Sequence, residues 1–177
     1  MKPSFTVFEI LELIPLPIFL ISAAWIDPQL PQDWLGPFVA GSLVAILTTT
    51  ILLYNHVLLN RLMLGINLYL VIGSIGLVTQ HAGINEVYGD LKASGMLAAI
   101  IIVGALSLVV SPAGFIGVLS QDRKMVVIFS LSLLLVAVLA FSASLYFQGD
   151  KLYSEIIPFL GLFAARKILH TKMPKPT

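Results

Sequence analysis

The sequence predicts an all-α, polytopic membrane protein: a bundle of six transmembrane helices with short loops and with N- and C-termini cytoplasmic. Three observations lead there. Apolar residues make up 58% of the 177 and charged residues 11%, too little polar surface to coat a soluble globule of this length. Four runs, Gly36 to Tyr54, Leu62 to Gln80, Gly95 to Leu119 and Met125 to Phe147, carry no charge and have the roughly 20-residue length that crosses ~30 Å of hydrocarbon as a helix. Their apolar residues do not alternate with polar ones, which excludes barrel strands. Finally, Lys2, Arg61, Arg123, Lys124, Arg166, Lys167, Lys172 and Lys175 lie at one set of segment ends and only Lys92 and Lys151 at the other; basic residues near span ends are retained on the cytoplasmic side.

The first span, residues 5–26, carries Glu9 and Glu12 and is interrupted by Pro15 and Pro17. Neither proline can donate to the carbonyl one turn earlier, so a kink or break is expected there. Spans over 36–54 and 62–80 follow, then a loop over 81–94 with Asn85 as helix cap and a short amphipathic turn from Glu86 to Lys92. The fourth span is expected over 95–119 and the fifth over 125–147. The sixth, 152–170, has only fourteen residues before Arg166 and Lys167, and charge decides in its favour. If it spans, eight basic residues lie inside and two outside; if it does not, the split becomes four and six. Acidic residues agree, leaving the outer face net negative by four and the inner face net positive by five. The chain reads as one domain, 1–177, with its first segment retained and not cleaved as a signal peptide.

Several polar residues within or beside the spans are candidates for function. Glu12 shares a helix face with Glu9 and lies deeper; an intramembrane carboxylate marks a proton or cation path, whereas at headgroup level it is simply solvated. Pro112 leaves the carbonyl of Leu108 without its usual donor, which either exposes carbonyls to a substrate or kinks a helix whose freed group finds a neighbour. Asn55, His56, Asn60 and Arg61 cluster at the junction of the second and third spans, with Asn67 two turns further on. Such a cluster either binds an anionic headgroup or partner through Arg61 or clamps a tight turn. Thr48, Thr49 and Thr50 can bond back to their own helix. Small residues suit close helix packing: Gly73 with Gly76, Gly104 with Ser107, Gly114 with Gly117, Ser130, Ala137 and Ser144 at sevens, and Gly161 with Ala165.

The composition also sets limits. A formal charge of +1 recruits no nucleic acid. Cysteine is absent, removing thiolate metal sites and nucleophiles, and His56, His81 and His170 are widely spaced. No P-loop, zinc-binding His motif, nucleophile elbow or dinucleotide fingerprint occurs, so no catalytic residue, metal ligand or cofactor is expected.

The run from Glu12 through Pro15, Leu16 and Phe19 resembles the opening of the bacterial intracellular septation protein A family, small inner-membrane proteins whose first span begins with an acidic residue, two apolar residues and Pro-Leu before a phenylalanine-rich stretch. Chain length, short loops and a basic C-terminal end are similar too. That family's later phenylalanine-lysine signature is replaced here by Tyr153-Ser154-Glu155. The resemblance implies a cell-envelope protein of the bacterial inner (plasma) membrane, associated with septation and without an established reaction. Two functional readings follow. In the first, the protein works by packing against lipids or other membrane proteins of the envelope, including a second copy of itself. In the second, it is a small dimeric transporter or channel with Glu12 and the break at Pro112 lining its path; Glu12, Pro15, Asn60, Arg61, Asn67 and Pro112 are the candidate transport or partner residues.

Overall fold

The computed structural model describes residues 5–26 and 30–173, apart from the side chains of Phe5, Thr6 and Pro31; Lys2, Asp27 and Lys175 lie outside the described residues. Every regular element among them is helical: α1 (Phe5–Leu13), α2 (Pro15–Ala24), a 3-10 turn (Pro31–Trp34), α3 (Leu35–Tyr54), α4 (Arg61–Val78), α5 (Ala82–Leu91), α6 (Ala93–Val110), α7 (Arg123–Tyr146), a π-helical stretch (Leu152–Ile156) and α8 (Ile157–Lys172). Five stretches are long and apolar enough to cross a membrane: Val7–Ala24, Gln32–Tyr54, Arg61–Val78, Ala93–Val110 and Arg123–Tyr146.

The proline pair acts as the sequence predicts. Pro15 cannot donate, so α1 gives way to α2 at Ile14, which itself keeps helical angles (φ −57, ψ −39). The hydrogen-bonded ladder is interrupted without a loop, and the Ile18 N–H resumes bonding to the Ile14 carbonyl at 3.2 Å.

The expectation for the fourth span requires correction. It ends at Val110, not at Leu119. Ser111 is extended (φ −101, ψ 131), the conformation a residue before proline prefers. Pro112 therefore terminates the helix and does not merely kink it. The loop cap also differs from the prediction: α5 begins at Ala82, and the His81 Nδ1 accepts the Ile84 N–H at 3.3 Å, in place of a cap at Asn85.

Around Pro158 the backbone takes a different solution. The Ile157 N–H reaches back five residues to the Leu152 carbonyl, and this wider π turn lets helical structure continue past a residue that cannot donate. Asp150 Oδ1 starts the segment by accepting the N–H groups of Leu152 and Tyr153 at 2.9 and 3.2 Å.

The chain forms two compact units. The first comprises residues up to Leu59 together with Ile66–Asp90; the second comprises Asn60–Gly65 and the chain from Leu91 onward. In the first, α2 packs on α3, and the Phe19 ring meets Phe38 edge-on at 5.1 Å. Gly41 permits this closeness: a Cβ there would lie 3.1 Å from Phe19 and 3.2 Å from Leu70. In the second unit α7 packs on both α6 and α8. Val126, Ser130, Leu133, Ala137, Ala140 and Ser144 are buried along one face of α7, at spacings of three or four residues. The opposite side presents Ile128, Leu131, Leu135 and Leu139 to the exterior, a contiguous apolar face of the kind hydrocarbon solvates and water does not.

Candidate functional site

The sequence-predicted residues divide between the units. Glu12, Pro15 and Asn67 belong to the first, and Asn60, Arg61 and Pro112 to the second.

In the first unit Pro15 is buried and Glu12 half-buried on α1 and α2, while Glu9 is exposed. Asn67, buried on α4, donates through Nδ2 to the Thr49 hydroxyl on α3 at 3.1 Å. Its Oδ1 is enclosed without a hydrogen-bond partner. Thr48 and Thr50 bond back to the carbonyls of Val44 and Ile46, at 2.9 and 2.7 Å, as expected. Thr49 instead holds α3 to α4, an interhelical bond of the kind that polar side chains make inside membranes.

In the second unit the polar residues converge on the end of α6. Asn60 is the N-cap of α4: its Oδ1 accepts the Leu62 N–H at 3.1 Å, and its own carbonyl accepts from Leu64 at 2.9 Å. This fixes the first turn of α4, from which the half-buried Arg61 donates through Nη2 to the Ser111 hydroxyl at 3.2 Å. The Arg61 Nε is buried without a partner.

Pro112 itself is exposed, and the carbonyl it leaves without its helical donor, that of Leu108, is bonded by Arg123 Nη2 at 3.0 Å. The same guanidinium donates through Nη1 to the carbonyls of Ser111 and Pro112 at 2.8 and 2.7 Å. A single planar fork thus satisfies three carbonyls of a terminated helix. Arg123 is held at the start of α7, where Asp122 caps by accepting the N–H groups of Lys124 and Met125.

The sequence identifies the orphaned carbonyl but not its partner. Arg123 counts there only as a charge; its position one residue after a capping Asp, opening the next helix, is the signal that could have found it.

Beyond Pro112 the chain turns inward. Ala113, Phe115 and Ile116 are fully buried. The Ile116 N–H donates to Ser130 Oγ at 3.1 Å. Gly114, at φ +59, lies against that hydroxyl so closely that any Cβ would collide with it. Phe115 seats its ring over Gly104, where a Cβ would come within 2.9 Å. Two of the predicted small-residue seams are therefore the floor of this plug.

The sequence gives no warning of an aromatic cluster in the first unit. Tyr88 on α5 stacks on Tyr69 at 4.4 Å and meets Phe38 edge-on at 5.7 Å. Its hydroxyl donates to the Tyr69 carbonyl at 2.6 Å. Burial raises the Tyr88 pKa above its ordinary value, so the hydroxyl stays protonated and remains a donor. Gly73 and Gly76 provide the groove, since a Cβ on either would collide with Tyr88 and Phe38 or with Ile84.

Among the described residues, no group of three or more His, Asp or Glu side chains is arranged to hold a metal ion. What the arrangement does chemically is satisfy backbone: arginine, asparagine, serine and threonine side chains bond carbonyls and amides that helix ends and bends leave open. No family model, curated protein or solved structure matches the chain.

Proposed function

We propose that this chain is a non-catalytic, six-span protein of a bacterial inner membrane, with both termini in the cytoplasm, that works by lateral packing against lipids and membrane partners of the cell envelope. The observation that carries the reading is the clamp of Arg123 on the Leu108, Ser111 and Pro112 carbonyls. The guanidinium beside the sequence's broken helix is engaged with the protein's own backbone, which is the task of a structural element.

Two further facts support it. The α6 helix is 18 residues long, about 27 Å at 1.5 Å per residue, close to the ~30 Å hydrocarbon thickness. Its proline therefore stops a nearly complete span, whereas the transport reading asks for a helix broken at membrane depth. The continuous helical stretch from Leu152 to Lys172 extends about 32 Å, long enough to cross with Arg166 and Lys167 extending their side chains to the headgroups. The similarity of Glu12, Pro15, Leu16 and Phe19 to the septation family supplies the envelope setting.

Purified protein in proteoliposomes is expected to give no saturable flux of ions or small solutes. Specific, saturable flux reduced by Glu12→Gln would establish the transporter reading in its place. Reporter fusions at both termini and within residues 81–94 test the topology; an external C-terminus would remove the sixth span.

A further inference from the structure

The connection from α4 to α5 turns on one histidine. Gln80 stands at φ +53, and α4 closes there with two bonds, from the Gln80 N–H to the Leu77 carbonyl at 3.3 Å and from the His81 N–H to the Gly76 carbonyl at 2.9 Å. This is the bond pair of a left-handed helix cap. The same His81 opens the next helix. Its carbonyl accepts the Asn85 N–H at 3.0 Å and its Nδ1 accepts the Ile84 N–H at 3.3 Å, a position filled in most helices by Ser, Thr, Asp or Asn. The ring lies over the first turn of α5, where a Cβ on Gly83 would touch its Cε1 at 3.6 Å.

A ring nitrogen that accepts an N–H carries no proton, so this cap exists only while the imidazole is neutral. Protonation turns Nδ1 into a donor facing another donor and sets a positive charge at the positive end of the helix. The side chain is exposed and lies between two membrane-crossing stretches, Arg61–Val78 and Ala93–Val110, so protons from solution reach it.

The first turn of α5 has little else to hold it. The helix is ten residues long and none of them is buried; a helix that short is marginal in water without tertiary support. Its firmest attachment lies a turn further on, where the Tyr88 hydroxyl bonds the Tyr69 carbonyl, and ahead of it Ile84 rests on Gly76. The other titratable or charged side chains near the cap are few. Glu86 and Asp90 lie on α5 itself, with Lys92 just beyond it; α4 adds Tyr69 and, at its far end, Arg61; α3, whose Phe38 meets Tyr88, adds Tyr54 at its end, with Asp33 in the turn ahead of it. Of all these side-chain types, imidazole alone ordinarily changes charge between about pH 5 and 8.

We propose that His81 is a proton-operated latch on α5. Neutral, it caps the helix and seats the first turn on α4; protonated, it releases that turn and lifts Ile84 from Gly76, while Tyr88 keeps the rest of the helix in place. The turn is therefore firm on the alkaline side of the imidazole range and loose on the acid side.

The test is amide–water exchange of the full chain in micelles, read residue by residue by NMR at about pH 5 and about pH 8 and corrected for the intrinsic pH dependence of exchange. Protection at Ile84, Asn85 and Glu86 is expected to be about tenfold lower at the acid pH, the factor for losing one cap and gaining an unfavourable charge, while Leu70 on α4 keeps its protection at both. His81→Asn, which caps without titrating, should stay protected at both pH values, and His81→Ala should be poorly protected at both. Should His81→Ala fail to fold, the ring nitrogen shifts of the unaltered chain give a second reading: at the alkaline pH the proton is expected on Nε2. Equal protection at the two pH values, a pH dependence that persists in His81→Asn, or a neutral ring protonated on Nδ1 overturns the proposal.

Discussion

In the first unit, rings press onto glycines: Phe38 and Tyr88 occupy the groove at Gly73, and Phe19 closes on Gly41. In the second, hydrogen bonds organise a broken backbone: Arg123 closes the carbonyls at the end of α6, and Ser130 receives the Ile116 N–H of the inward plug. Lipid tails are as apolar as leucine, so burial alone does not bring membrane helices together. The two units show the two remedies available, close van der Waals approach and polar bonds to backbone that the helix could not satisfy itself. The first is therefore expected to be more sensitive to added volume than to loss of a polar group, and the second to be sensitive to both.

The largest effect is expected at Gly114, where both sensitivities meet. Its φ of +59 disfavours any branched residue, and a Cβ would collide with Ser130 and approach Val126 to 2.9 Å. Gly114→Val should destabilise by about 3 kcal/mol or more, measured by denaturant titration in micelles followed by near-UV circular dichroism. An unchanged midpoint would mean that the plug is not seated as described. Gly73→Ala should cost about 2 kcal/mol, because the atoms it meets are side-chain rings that can yield a little. A cost at Gly73 equal to that at Gly114 would erase the distinction between yielding rings and a fixed turn.

Arg123→Gln removes most of the donors on three carbonyls, but the site is exposed and water can replace some bonds, so about 1 kcal/mol is expected. A loss several times larger would place that helix end out of reach of water. The smallest effect should be a gain. Gly161 on α8 is exposed, and a Cβ added to it would meet nothing within 4 Å, so Gly161→Ala should stabilise the isolated chain by about 0.5–1 kcal/mol through helix propensity. If the same change weakens self-association in crosslinking, the Gly161–Ala165 seam faces a second copy.

These contrasts also explain what is legible in the residues alone. Uncharged runs reveal the long helices because length and composition are sufficient to define a membrane-crossing helix. The freed Leu108 carbonyl and the clamping role of Asn60 can be read because both follow from chemistry within four residues. Arg123 bonding Leu108 spans fifteen positions and depends on how the loop folds, and no periodicity reports that. The glycine seams are recognisable as grooves, but a groove has the same sequence whichever element fills it. Hence Tyr88, on a helix expected only as a short surface turn, gives no sign of its place.

The π turn before Pro158 bears on how the last helix can be read at all. It accommodates one residue more than an α-helical turn, which rotates everything after it by about 100° relative to a regular helix. A helical wheel drawn straight through residues 152–172 therefore assigns the wrong azimuth to Leu162, Ala165 and Arg166. Deleting one residue within the turn would restore a regular α-helical turn and leave the basic end of the chain facing the same way, with every amino acid beyond it unaltered.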